Sequence, residues 1–443
     1  METGRMKTFR AYEPDQMLLL PPSLSDWVPE DHLARFVGDL VDTLDLSAIE
    51  DTYGEERGYP PYHPCMMVKV LLYAYCTGTY SSRRMAAKLH DSVAYRFLAA
   101  GNQPDFRTVS DFRKRHEAAL SGLFEQVLVI CRESGLVKLG RVAVDGTKIK
   151  ANASKHKAMS YGRMTEKEAA LKQEIREIFR QAEAIDREED RRYGPDRRGD
   201  ELPGELARRE TRLKKIREAK AAIEAAAKKK AAAEGKDPGQ ATPAAKDQHN
   251  FTDPESKIQK TKDGFIQGYN AQVAVDETFQ IIVAQHVTPM AADVNELQPA
   301  VESIAATLKA RPKELLADAG YCSEENIRAL EAKGIEPFIA TGRQKHGETR
   351  PAPRGRAPKD MTLRQHMARK LLTVPGRKAY SRRKVIVEPV FGQIKQARRF
   401  RQFLRRGLGR VRHEWSLVCT AHNMLKLRTA LMTIHRCSVK ELI

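Results

Sequence analysis

The sequence predicts an α/β protein: a mixed β-sheet flanked by helices, preceded by an all-α region and interrupted by a long helical hairpin. Three observations carry that prediction. In the second half of the chain, β-branched apolar runs such as "QVAVDETFQIIVAQHVT" alternate with segments of helical period. Residues 1 to about 135 read as mostly helical. Residues 164–247 are rich in Ala, Glu, Lys and Arg, with apolar residues at steps of three and four.

Taken in order, "HPCMMVKVLLYAY" is a core helix. "SSRRMAAKLHDSVAYRFLAAG" follows, with Ser81 or Ser82 placed to cap and Gly101 to stop. "TVSDFRKRHEAAL" starts again, with Thr108 and Asp111 at capping-box spacing. Arg83, Arg84, Arg113 and Arg115 on these short helices suit a helix-turn-helix-like DNA module, and equally a plain helical bundle. A strand begins at "RVAVDGTKIKANAS". In the inserted hairpin, Leu171, Ile175, Ile178, Ala182 and Ile185 are answered by Leu206, Leu213, Ile216 and Ile223 across the break "RRYGPDRRGDELPG". "AAAEGKDPGQATPAAK" is its return linker.

"GYNAQVAVDETFQIIVAQHVT" then reads as a β-hairpin, with Asp276 in the turn and His286 at a core edge. "DVNELQPAVESIAATLKA" is a helix capped by Asp293, "KELLADAG" a buried strand, "SEENIRALEAKG" a helix and "EPFIAT" a strand. Val385 to Val387 read as a run that brings Glu388 to the sheet, and Pro389 as the start of a helix. "EWSLVCTAHNMLKLRTALMTI" closes the chain as a helix. This order predicts a ribonuclease H-like core over 136–163 and 248–435, a helical N-terminal domain over 1–135 and a helical insertion over 164–247.

Charge points to the partner. The 443 residues carry a formal net charge of +19, and residues 341–413 alone hold 22 Lys and Arg against three acids, Glu348, Asp360 and Glu388. That excess equals the whole net charge, so the remainder is balanced. A block this concentrated, broken by Phe400, Phe403 and glycines, predicts nucleic acid rather than a merely solvated face. The six cysteines form no zinc spacing and read as reduced thiols of a cytosolic protein. No signal peptide or membrane span is readable, and no Ser/His/Asp, Cys/His or phosphate-loop pattern.

Three acids stand out by context: Asp145 inside "VAVDGTK", Asp318 at the end of "LLADAG", and Glu388 after "VIV". Singly, each has a bland role as a turn former, cap or ion-pair partner. Together they predict an acidic cluster on a sheet beside a basic groove. Converging carboxylates repel, and divalent cations relieve that repulsion; two Mg²⁺ ions about 4 Å apart could activate a water or 3′-hydroxyl and stabilise the leaving oxygen. Lys395 lies two helical turns after Glu388, with Arg398, Arg399, Arg401, Arg405 and Arg406 continuing the positive track.

At these residues the chain resembles the bacterial DDE insertion-sequence transposases, most of all the IS-eleven-eighty-two branch, related to the IS-four and IS-five groups. The likeness runs through "YPPYHPCMMVKVLLYAY", "RTVSDFRKRH", "VAVDGTKIKANAS", "DPESKIQKTKDGFIQGYNAQVAVD", "LADAGYCSEENI", "VEPVFGQIK" and "HNMLKL". It implies that Asp145, Asp318 and Glu388 form the catalytic, metal-binding triad. It also implies a ribonuclease H-like fold, dependence on Mg²⁺ or Mn²⁺, and cleavage at terminal inverted repeats, followed by 3′-hydroxyl attack on target DNA. The related families show Tyr, Arg, Glu and Lys in order around the third acid; Tyr380, Glu388 and Lys395 fit, with Arg383 or Lys384 as the basic residue. Lys148, Tyr380, Arg383, Lys384, Lys395, Arg398 and Arg399 are the expected DNA contacts. The expected partner is double-stranded DNA, both element ends and target, bound by a homodimer in the bacterial cytoplasm, at the nucleoid. The rival readings are a ribonuclease H-like nuclease without strand transfer, and a domesticated DNA-binding protein.

Overall fold

Seven helices precede the first strand in the computed structural model, which describes residues 23–54, 60–193, 204–233, 235–261, 264–342, 351–358 and 360–434. They are α1 (Leu33–Asp42), α2 (Ser47–Glu50), α3 (Pro64–Cys76), α4 (Ser82–Asp91), α5 (Val93–Leu98), α6 (Phe106–Arg115) and α7 (Glu117–Glu133). Helix α3 starts at Pro64, whose missing N–H costs nothing in a first turn, and His63 Nδ1 accepts from Cys65 N at 3.2 Å. The start expected at Thr108 is corrected: Asp105 caps α6 by accepting from Thr108 N at 2.7 Å, so Thr108 lies inside the helix.

Strand β1 (Arg141–Lys150) leads through the short β2 (Ala158–Ser160) into the insertion, α8 (Tyr161–Tyr193) and α9 (Gly204–Ala233), which returns through β3 (Gln248–Asn250), paired with β2. Met164, Leu171, Leu213, Ile216, Ala219 and Ile223 form its own apolar seam. Glu168 pairs with Lys220 and Glu174 with Arg209, an antiparallel register. The connection at 194–203, the side chains of Ala182, Ile185 and Leu206, Glu348 and Cys437 lie outside the described residues. So do residues 1–22 of the N-terminal region.

The remaining elements are β4 (Lys257–Thr261), β5 (Gly264–Asp276), β6 (Ile282–Thr288), α10 (Leu297–Leu308), β7 (Glu314–Ala317), α11 (Glu324–Ala332), β8 (Glu336–Ile339), α12 (Leu363–Leu372), α13 (Val374–Gly392) and α14 (Leu408–Ile434). The main sheet runs β4-β5-β1-β7-β8, with β6 also on β5. Strands β4, β5, β6 and β1 pair antiparallel, whereas β1, β7 and β8 pair parallel. The mixed α/β architecture with a helical N-terminal region is as expected.

Helix α14 is covered on most sides over Glu414–Met424, where polar Glu414, Ser416, Thr420, His422 and Asn423 are buried along with the apolar residues. Val411, Trp415, Val418, Cys419, Met424 and Leu427 are all buried between β6 and the helices α3 and α7. One hydrophobic cluster therefore runs from the N-terminal helices through α14 into the sheet. Cys65, Cys76, Cys131, Cys322 and Cys419 are free thiols. Among the described residues, no helix is long and apolar enough to cross a membrane.

Candidate active site

Strand β1 lies in the middle of the sheet, so its Val142, Ala143 and Val144 are buried on both faces. Asp145 follows where that run ends. In the parallel pair β1–β7, Val144 stands opposite Ala317. The next residues, Asp145 within β1 and Asp318 just past the end of β7, therefore stand side by side where the parallel pairing stops. Backbone register alone makes them neighbours.

Both carboxylates are anchored locally. Asp145 Oδ1 accepts from Gly146 N at 2.9 Å, and Asp318 Oδ1 accepts from Gly320 N at 2.8 Å, closing the turn Ala319–Tyr321. Asp145 Oδ2 accepts from Arg383 Nη1 at 2.9 Å. Burial pushes the Asp145 carboxyl up to about 6; Arg383 opposes the shift and the charge of Asp318 adds to it. That mutual repulsion between two half-buried acids is what a cation would relieve.

The run Val385 to Val387 is not a strand, which corrects the expectation there. Thr373 caps α13 by accepting from Gly376 N at 3.1 Å, and Pro375 stands in the first turn, so the helix is under way a dozen residues before Glu388. Pro389 is correspondingly inside the helix rather than at its start. A proline there leaves the carbonyl four residues earlier without its donor. Gln280 supplies one: its Nε2 donates to Val385 O at 2.9 Å, while its Oε1 accepts from Lys426 Nζ at 2.8 Å. Past Gly392 the helix widens into a π-turn, Gln393–Ala397, and Lys395 Nζ reaches Thr147 Oγ1 and, at 3.2 Å, Lys148 O.

Of the two basic candidates on α13, Arg383 points at Asp145, whereas Lys384 is exposed. Tyr380 is half-buried against Arg383; burial raises its hydroxyl pKa and the guanidinium opposes this. Glu388 is exposed and makes no hydrogen bond or ion pair among the described residues. No group of three His, Cys, Asp or Glu side chains close enough to hold a metal ion occurs among those residues either. The structure thus brings together Asp145, Asp318, Arg383, Tyr380, Lys148 and Lys395, while Glu388 stays exposed on α13 and makes no hydrogen bond or ion pair with any of them.

The basic block divides more sharply than its composition suggested. Arg398, expected on DNA, is 7% exposed; its Nη1 donates to Val418 O at 3.1 Å and its carbonyl accepts from Tyr80 Oη at 3.1 Å. A guanidinium enclosed by α14 is closed to a phosphate, so Arg398 is a core residue. Phe400 and Phe403 are buried with Trp415. Arg399 and Arg401 are exposed. The alternation of arginine and phenylalanine is that of an extended segment with an inner and an outer side. It runs beside the end of β1, where Phe403 N donates to Lys150 O at 2.8 Å.

Asp293 stands at the helix start expected of it, as the residue before the 3-10 turn Val294–Glu296 that runs into α10, but its side chain makes no capping bond. Its Oδ1 accepts instead from Asn270 Nδ2 at 2.6 Å and Gln272 Nε2 at 2.7 Å, and stands 3.7 Å from Lys148 Nζ.

Residues 238–424 match the family described as Transposase DDE domain, and residues 22–115 match Transposase domain (DUF772). Together these matches indicate an insertion-sequence DDE transposase. No curated protein and no solved structure matches the chain.

Proposed function

We propose that the chain is a metal-dependent DNA transposase of the IS-eleven-eighty-two branch with a ribonuclease H-like catalytic core. It cleaves at the terminal inverted repeats of its element and joins the freed 3′-hydroxyl to target DNA. The observation that carries the proposal is the emergence of Asp145 and Asp318 from adjacent parallel strands, flanked by Arg383, Lys148 and Lys395. The strand order, with an antiparallel set joined to a parallel pair, supports the core.

Two carboxylates suit Mg²⁺ or Mn²⁺, which take oxygen ligands and bind through one or two carboxylates plus water and phosphate. Asp145 and Asp318 would hold the cation, with Glu388 as the third acid. Bound there, divalent ions supply an activated oxygen nucleophile and charge stabilisation at the leaving oxygen. The protein's own part is positioning. Arg383, which bonds Asp145, would be free to meet a phosphate of the scissile strand once that carboxylate engaged a cation, and Lys395 would hold a second phosphate beside Thr147. Lys148, Lys384, Arg399 and Tyr380 line the same path. Double-stranded DNA is the partner, two copies of the chain bring two element ends together, and the work is done in the bacterial cytoplasm.

The test is amide substitution. Asp145→Asn, Asp318→Asn and Glu388→Gln should each lose Mn²⁺-supported cleavage by roughly a thousandfold, with binding to element ends largely kept. Full cleavage by Glu388→Gln would remove it from the triad. Cleaved ends that never join target DNA would favour a nuclease.

A further inference from the structure

Lys148 has an unusual companion set. Its ammonium donates to Ala291 O at 2.9 Å, and the charges of Asp293, Asp318 and Asp145, in that order, act on it. Of the three acids, Asp293 is the one held from behind. Asn270 and Gln272, which grip its Oδ1, are buried on β5 opposite Lys148 and Gly146. Gln272 Oε1 in turn accepts from the buried Tyr321 hydroxyl. The carboxylate is therefore fixed by groups that are themselves fixed.

Its other oxygen faces the Asp318 turn. A Cβ built on Gly320 would stand 3.0 Å from Asp318 Oδ1 and 3.1 Å from Asp293 Oδ2, so a larger residue would crowd both carboxylates. Gly146, beside Asp145, is more tightly enclosed, because a Cβ there would collide with the Gln272 amide. Two glycines thus let Asp293 and its clamps approach the pair Asp145 and Asp318.

We propose that Asp293 is a positioning residue: it anchors the Lys148 ammonium beside the divalent-cation position at Asp145 and Asp318, and out of it. The proposal rests on the reading of those two acids given above. Lysine is a compact charge on a flexible stem, and it competes with a divalent cation for the same carboxylates. With Asp293 in place, the ammonium rests near enough to meet a DNA phosphate without occupying the metal position. Without Asp293, it swings onto Asp318 and Asp145.

The experiment is Mn²⁺ titration of the full chain by calorimetry, with wild type, Asp293→Asn, Lys148→Met, the double variant and Asp145→Asn. Asp293→Asn should weaken Mn²⁺ binding about tenfold, the effect of one misplaced neighbouring charge. Lys148→Met should bind at least as tightly as wild type, and the double variant should match Lys148→Met within about twofold. An equal loss in both backgrounds would make Asp293 mere scaffold and overturn the proposal, as would no loss at all. If Asp145→Asn leaves Mn²⁺ binding intact, the reading of the metal site fails and the proposal falls with it. If Asp145→Asn weakens binding while Asp293→Asn does not, the proposal alone falls. Should Asp293→Asn melt below the assay temperature, Asn270→Ala loosens the same carboxylate and carries the same prediction, weaker binding restored by Lys148→Met.

Discussion

The two halves of the site are held by different means. Asp145 lies within β1 and Asp318 directly after β7, each bonded to a backbone amide within two residues, and their proximity is set by sheet register. Arg383 and Lys395 belong to a helix packed on the sheet, and their polar contacts with β1 are made by the ends of long side chains. The first half is fixed by backbone hydrogen bonds and strand pairing. The second can let go of its protein partners and take up phosphates instead. A cation site needs fixed ligands, whereas DNA contacts need side chains that can exchange partners.

The largest effect that sharpens this contrast falls on the helical half. Arg383→Ala or Lys395→Ala should slow cleavage of bound DNA by roughly a hundredfold, the usual cost of one charge-stabilising donor. Mn²⁺ affinity should stay or rise in Arg383→Ala, because Asp145 loses its competing cation. Calorimetry and a single-turnover cleavage assay check the two arms. A loss of Mn²⁺ binding in Arg383→Ala would mean that the arginine builds the strand half too.

Next in size is the pair Arg398 and Arg399. Arg398→Ala should cost about 2 kcal/mol in urea unfolding, since it empties a buried position and removes the bond from its guanidinium to Val418 O. It should leave the salt dependence of DNA binding unchanged. Arg399→Ala should do the reverse, flattening that slope by roughly one unit with little change in stability. Matching behaviour in the two variants would erase the inner and outer sides assigned to this segment.

A smaller effect belongs to the joint between the halves. Gln280→Ala should cost about 1 kcal/mol, because Val385 O loses its substitute donor. In a Pro389→Ala background the helix regains its own donor, so the same change should cost less. Equal costs in chemical denaturation would show that Gln280 serves something other than the proline gap.

The strand half was legible in the sequence because its signals are local. Apolar runs ending in Asp145 and Asp318 mark the two strands, and a mixed sheet follows from the order of the elements, whereas the central place of β1 is set by its pairing with β5 and β7. The helical half was not. Val385 to Val387 have strand composition, but the cap at Thr373 and the packing of Ile386 and Val387 as one buried helical face override it. Pro389 resembles a helix start until Gln280, more than a hundred residues away, is known to satisfy the carbonyl it exposes. Arg398 and Arg399 are indistinguishable by composition and separate only when Tyr80 and Val418 enclose one of them. Asp293 was hidden for the same reason, since its partners lie on β5 and β1.

The central claim is that Asp145 and Asp318 together hold the cation with which the chain cuts DNA. It is tested most directly by Mn²⁺ titration of Asp318→Asn in parallel with cleavage of a duplex carrying the element's end. The account predicts that Mn²⁺ affinity and cleavage fall together while the variant still binds the duplex. Wild-type Mn²⁺ affinity together with wild-type cleavage in Asp318→Asn would contradict it.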